Sequence, residues 1–128
     1  MKIFGIGTDI VNINRIKKSI KKDSFVKRIF STSEIAYCKK RKNAHTCFAK
    51  RFAAKEALAK SLGTGFRNNL NFKDIEVLND KVGKPYYLKS KKISGIIKKR
   101  FKIKKFDLFL SISDEKDYSV AFTILQAK

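Results

Sequence analysis

The sequence predicts an α+β domain in which a mostly antiparallel sheet packs against one long helix. Three observations predict it. The opening segment alternates as a strand does, a central stretch from about Thr46 to Leu62 carries an apolar stripe at helical spacing, and two closing runs alternate across a short polar connection. The chain has 128 residues, 43% of them hydrophobic and eleven of them Phe, which suits one core. Residues 1–128 are therefore read as one domain, for which assembly into an oligomer would add stability without being required.

Ile3 to Val11 read as the first strand, with Ile6, Thr8 and Ile10 on one face and Gly5, Gly7, Asp9 and Val11 on the other. Glycines inside a strand mark a close approach by another backbone or a ligand, and here they flank a carboxylate. Asn12 can cap a helix whose Ile13, Ile16 and Ile20 recur at helical spacing and which runs out near Asp23. Ser31 with Glu34 three residues on has the spacing of a capping box and starts a helix to about Arg41. In the long helix Phe48, Phe52, Ala59 and Leu62 form the core stripe, and Gly63 supplies a left-handed stop. Ile75 to Leu78 and Tyr86 to Leu88 read as strands joined through Asn79 to Pro85, and a lysine-rich helix follows from about Ser90 to Phe101. Phe106 to Ser113 and Tyr118 to Leu125 close the chain as an antiparallel pair, with Leu108, Leu110 and Ile112 on one face.

The charge is extreme: 31 Lys+Arg against 11 Asp+Glu, a formal net charge of +20. Anionic partners are expected, and nucleic acid, an acidic protein or a polyphosphate cofactor would be drawn by the same field. Lysines that merely solvate the surface of a chain rich in Lys, Ile, Asn and Phe account for any one of them equally well. Cys38 and Cys47, near the single histidine His45, have poor metal spacing and are expected to be small apolar core thiols in a reducing compartment. His45 reads as a loop or helix-start residue. The N-terminus lacks a signal-peptide pattern and no stretch approaches the ~20 apolar residues that span a bilayer, so a soluble, cytoplasmic protein is expected.

Acids are scarce, so one inside an apolar or glycine-rich segment calls for an explanation. Asp9 sits in Gly5-Ile6-Gly7-Thr8-Asp9-Ile10, and Glu56 sits in Arg51-Phe52-Ala53-Ala54-Lys55-Glu56-Ala57. Magnesium takes one or two carboxylates, waters and substrate phosphate oxygens, so two acids would suffice. Glu56 and Lys60 share a helix face, as do Arg51 and Lys55. An ordinary surface ion pair worth about 0.3 to 0.5 kcal/mol is the simpler account of each pair taken alone.

Those same runs, with Lys60, resemble the two signature motifs of the holo-acyl-carrier-protein synthases. Phe25 with Arg28, Phe30, Ser31 and Glu34, then Gly63-Thr64-Gly65, Gly83-Lys84-Pro85-Tyr86 and Ser111-Ile112-Ser113 follow in the order and approximate spacing of that family, so the likeness covers nearly the whole chain. It implies a 4′-phosphopantetheinyl transferase fold, commonly a homotrimer with coenzyme A bound between neighbouring subunits. By the same resemblance Asp9 and Glu56 would bind Mg2+, Lys60 would contact the phosphate, and Glu56, directly or through a water on the metal, would accept the proton of the carrier serine. Arg51, Gly63, Lys84, Pro85 and Ser111 fall where family members line the nucleotide cleft, although Pro85 has an equal reading as a hairpin residue with a fixed φ. Arg15 matches a position facing the acidic acyl carrier protein, and Lys17, Lys18, Lys21 and Lys22 extend that basic surface. One departure stands out: many relatives have histidine after the last motif, where this chain has Asp114. An acid there would repel a coenzyme A phosphate unless it points away or pairs with a lysine.

Two other readings compete. A basic nucleic-acid-binding domain would explain the lysines but not Asp9 and Glu56, and the chain has no recognisable RNA-binding signature, so no specific nucleic acid is expected. A noncatalytic scaffold on the same fold would leave the acid pair and Lys60 without a purpose.

Overall fold

The computed structural model describes residues 1–67 and 69–128. Strand β1 (Lys2–Asn12) leads into helices α1 (Ile13–Ser19), α2 (Asp23–Ile29), α3 (Thr32–Lys39) and α4 (Ala44–Ser61). A 3-10 turn (Phe72–Asp74), strands β2 (Val77–Asn79) and β3 (Pro85–Tyr87), helix α5 (Lys91–Phe101) and strands β4 (Phe106–Asp114) and β5 (Tyr118–Ala127) follow. β5 is central in a three-stranded sheet of order β1-β5-β4, antiparallel throughout, while β2 and β3 form a separate antiparallel pair. The fold is α+β, as expected.

Side-chain size explains how α4 lies on the sheet. Ala53, Ala54 and Ala57 are fully buried along the helix, and β1 offers Gly5 and Gly7 opposite them. A Cβ on Gly7 would overlap the Ala57 carbonyl oxygen, and one on Gly5 would overlap that of Ser61. The strand glycines therefore answer to a helix backbone pressed against the strand. Around this contact Ile16, Ile29, Phe30, Leu58, Leu62, Ile75, Ile93, Ile97 and Leu125 form the core. Each such large side chain contributes about 1.5–3 kcal/mol on burial. Tyr87 enters the same core and satisfies its hydroxyl by donating to the Ala54 carbonyl at 2.6 Å, with Thr123 Oγ1 also at 2.6 Å.

Two local expectations need correction. The helix expected to run to Asp23 stops at Ser19, and a separate α2 begins at Asp23. Lysines and isoleucines continue through the break, so periodicity alone does not reveal it. Asp23 at the start of α2 suits the positive end of the helix and pairs with Lys27 at 2.9 Å on the exposed face. Cys38 and Cys47 are joined as a disulfide instead of being free thiols. The turn between α3 and α4 folds their ends together, leaving the two Cα atoms 5.4 Å apart, a separation no inspection of the intervening residues would reveal. The capping box at Ser31 is present as expected: Glu34 N donates to Ser31 Oγ at 3.2 Å and Ser31 N to Glu34 Oε1 at 2.9 Å. No described helix is long and apolar enough to cross a membrane.

Candidate active site

The close packing of β1 on α4 decides which side chains meet. Gly7 abuts Ala57 and Gly5 abuts Ser61, so the chains run in opposite senses and Asp9 falls beside the turn that carries Glu56. Lys60 reaches back across it, its Nζ donating to Asp9 Oδ1 at 3.0 Å and to the Thr8 carbonyl at 3.1 Å. Its partner is thus a strand carboxylate and not Glu56 at the adjoining helical turn. The Asp9 side chain is 15% exposed and that of Lys60 52%, so the pair opens to solvent on the lysine side. Burial raises the Glu56 carboxyl above its ordinary value, and the nearby Asp9 charge raises it further against the opposing influence of Lys60 and Arg15. Arg15, one turn into α1, also stacks its guanidinium 5.8 Å from the Phe52 ring centre. Asp9, Glu56, Lys60 and Arg15 therefore converge on one patch.

Arg51 precedes Glu56 by five residues, which turns it about 140° around the helix axis. It points elsewhere, into a cavity of about 630 Å³ walled also by Tyr37, Arg41, Lys50, Asn79, Pro85 and Asp114. The guanidinium stacks on Tyr37 at 4.4 Å, Nη2 donates to Asn79 Oδ1 at 2.5 Å, and Nη1 approaches Cys47 Sγ at 3.5 Å. Arg51 Nε is buried with no hydrogen-bond partner. Burial is also the main force lowering the pKa of this group. A buried guanidinium with a donor to spare suits an anion that completes its shell.

The other expected site residues lie in neither cluster. Gly63 closes α4 at φ 76°, with Arg100 beside it donating from Nε to the Leu62 carbonyl at 2.5 Å. Lys84 ends the β2–β3 connection just before β3, its backbone N–H held by Asp80 Oδ1 at 2.8 Å. Ser111 lies on β4 opposite Phe122, exposed on the sheet face turned away from α4.

One arrangement escaped the sequence reading. Lys55 is fully buried, its Nζ 2.7 Å from Glu34 Oε1, with further donation to the Phe72 carbonyl at 2.9 Å and to the Ile75 carbonyl. Glu34 Oε2 in turn accepts from Val77 N at 2.9 Å. The acid that caps α3 thus also ties α4 to the segment before β2, and only its capping spacing is visible in the sequence. Asp114, the residue that departs from the family pattern, pairs with Lys50 at 3.2 Å across the Arg51 cavity.

Two carboxylates and a lysine at a strand–helix contact, with a separate cation-walled cavity, define a site for a phosphate-bearing substrate. The chain belongs to the 4′-phosphopantetheinyl transferase superfamily, whose model matches residues 5–123. It is 62% identical over 128 residues to a holo-[acyl-carrier-protein] synthase of Pelagibacter ubique, covering both chains in full. Its fold is similar to that of the holo-[acyl-carrier-protein] synthase of Neisseria meningitidis, with TM-score 0.87, 36% identity, and coverage of 98% of this chain and 99% of that one. The Bacillus anthracis holo-(acyl-carrier-protein) synthase, solved in complex with CoA (3′,5′-ADP), matches with TM-score 0.80 at 38% identity, covering 98% of each chain.

Proposed function

We propose that the chain, acting as one transferase domain over residues 1–128, is a holo-acyl-carrier-protein synthase. It moves the 4′-phosphopantetheine group of coenzyme A to a serine of apo-acyl carrier protein, in the cytoplasm and in support of fatty acid biosynthesis. The observation that carries this reading is the convergence of Asp9, Glu56 and Lys60 where β1 packs on α4.

The chemistry of the donor set fits Mg2+. Two neighbouring carboxylates raise one another's proton affinity, as Asp9 does to Glu56, and a hard divalent cation relieves that repulsion. Mg2+ takes one or two carboxylates and completes its shell with waters and substrate oxygens, and among the described residues no group of three or more His, Cys, Asp or Glu is placed to hold a metal. When bound, Mg2+ would supply charge neutralisation at the coenzyme A pyrophosphate.

The chain's own residues do the rest. Lys60, half-exposed beside Asp9, holds a phosphate oxygen and stabilises charge that develops as the carrier serine attacks the β-phosphorus. The new serine–phosphorus bond replaces the bond to the bridging oxygen, and adenosine 3′,5′-bisphosphate leaves. Glu56 takes the serine proton, directly or through a water. The Arg51 and Pro85 cavity receives the nucleotide, a role supported by the unpartnered Arg51 Nε. That cavity and the acid cluster occupy different sides of α4, so one chain holds two half-sites. A homotrimer with coenzyme A between neighbouring copies would unite them and bring Gly63, Lys84 and Ser111 toward the boundary. Arg15, with the lysines of α1 and a cavity of about 550 Å³ lined by Lys18, Lys22, Phe25 and Arg28, offers a basic face to an acidic carrier protein.

Incubation with coenzyme A, Mg2+ and an apo carrier protein, read by intact mass, should add one phosphopantetheine group. Asp9→Ala or Glu56→Ala should abolish that gain while leaving the melting transition in place. Absence of any gain with several carriers, or full activity in either folded variant, would refute the assignment.

A further inference from the structure

The Arg51 cavity is walled mainly by cations and carries one carboxylate of its own. Its wall holds four cations, Arg41, Lys42, Lys50 and Arg51, and a single acid, Asp114. The cations differ in freedom. Arg51 is 4% exposed and clamped between Tyr37 and Asn79, and Arg41 stacks on the same tyrosine ring at 4.1 Å. Lys50 has a long side chain 38% exposed, and its ammonium is held by Asp114 Oδ1 at 3.2 Å. The carboxylate comes from the C-terminal end of β4, opposite Ser119, whereas the lysine comes from α4, so the pair spans the cavity between two elements.

We propose that Asp114 is a specificity-determining residue that competes with the nucleotide's 3′-phosphate for Lys50, and thereby sets how tightly 3′-phosphorylated nucleotides are held and how readily they leave. This rests on the reading that the Arg51 cavity receives the nucleotide. Paired with Asp114, Lys50 is not a free cation of the cavity wall. A phosphate dianion entering beside Arg51 meets the Asp114 carboxylate, and like charges brought this close repel. Binding therefore requires an exchange of partners in which Lys50 turns to the phosphate and Asp114, itself 34% exposed, turns to water. Each bound 3′-phosphate gives back part of its affinity for that exchange. The reverse exchange helps eject adenosine 3′,5′-bisphosphate after transfer, because Asp114 recaptures Lys50 as the product departs. A nucleotide without the 3′-phosphate does not contend for Lys50 and is indifferent to Asp114.

Calorimetric titration of the full-length protein with adenosine 3′,5′-bisphosphate, coenzyme A and 3′-dephospho-coenzyme A tests this. Asp114→Asn should bind the first two roughly three- to tenfold more tightly, with the dephospho form unchanged. Lys50→Gln should weaken the first two by a similar factor and spare the third. Asp114→Asn that binds adenosine 3′,5′-bisphosphate no better than the parent would overturn the proposal. So would equal tightening of all three ligands, or a Lys50→Gln variant with unaltered affinities. Arg51→Gln supplies the separate check: coenzyme A affinity unmoved by that change would mean the nucleotide lies outside this cavity, overturning the functional reading on which Asp114 depends.

Discussion

Lys55 and Lys60 stand five residues apart on α4 and have opposite fates. Lys60 leans over the edge of β1 toward solvent, its ammonium bonded to Asp9 and its side chain half-exposed. Lys55 is sealed in the core, and burial lowers its pKa from the ordinary lysine value while Glu34 opposes that shift. The buried ion pair is tolerable because nearly every donor and acceptor is used: Lys55 by Glu34 and two carbonyls, Glu34 also by Ser31 N and Val77 N. Removing one partner strands the other. Lys55→Met should therefore lower stability by about 3–5 kcal/mol, measured by urea unfolding, and the Glu34→Gln/Lys55→Met double variant should recover part of the loss. A change below about 1 kcal/mol in the single variant would contradict the role assigned to this pair. The scarcity of acids singled out Asp9 and Glu56 and helical spacing set Lys60 beside Glu56, but only the family resemblance joined all three, and the bond from Lys60 to Asp9 was not legible. The core role of Lys55 was not legible, since its partner lies on another helix and no periodicity links them.

At the scale of elements, the sequence is most readable where a local hydrogen bond or a packing period decides the outcome. Ser31 and Glu34 announce the start of α3, Gly63 its counterpart at the end of α4, and the alternation of Phe106 to Ser113 and Tyr118 to Leu125 marks the central pairing. It is least readable where charge fills the exposed face without interruption, as between α1 and α2. The cap also does more than start a helix. Ser31 Oγ donates to Glu76 Oε2 at 2.9 Å, and Ser33 Oγ donates to the same oxygen, so two hydroxyls join α3 to the approach to β2. Ser31→Ala removes the acceptor for Glu34 N and one of the two bonds to Glu76, and should cost about 1–2 kcal/mol. Thermal and urea unfolding should agree on the loss, while transfer activity of the folded fraction stays near that of the parent. A neutral substitution would show that water replaces both bonds at no cost.

For the molecule as a whole, one face of the sheet is covered by α4 and the other presents an apolar surface. Ile6, Ile10, Phe109, Val120 and Phe122 are all more than a third exposed there, and the strand register sets Ile10 against Val120 and Thr8 against Phe122. A contiguous apolar face of this kind is uncommon on a monomer and is typical of an interaction surface. Ser111 lies within it, opposite Phe122 on β4. Covering the face with neighbouring copies would bury these apolar side chains, and in the proposed trimer it would set the acid cluster of one copy beside the Arg51 cavity of the next. Phe122→Glu places a charge in the middle of that surface without touching Asp9, Glu56, Lys60 or Arg51. Sedimentation velocity should give a trimer for the parent and a monomer for the variant, and the folded variant should lose most of its transfer activity despite an intact acid pair and lysine. A monomeric parent would remove the trimer, and a monomeric variant with full activity would mean that one chain holds a complete site.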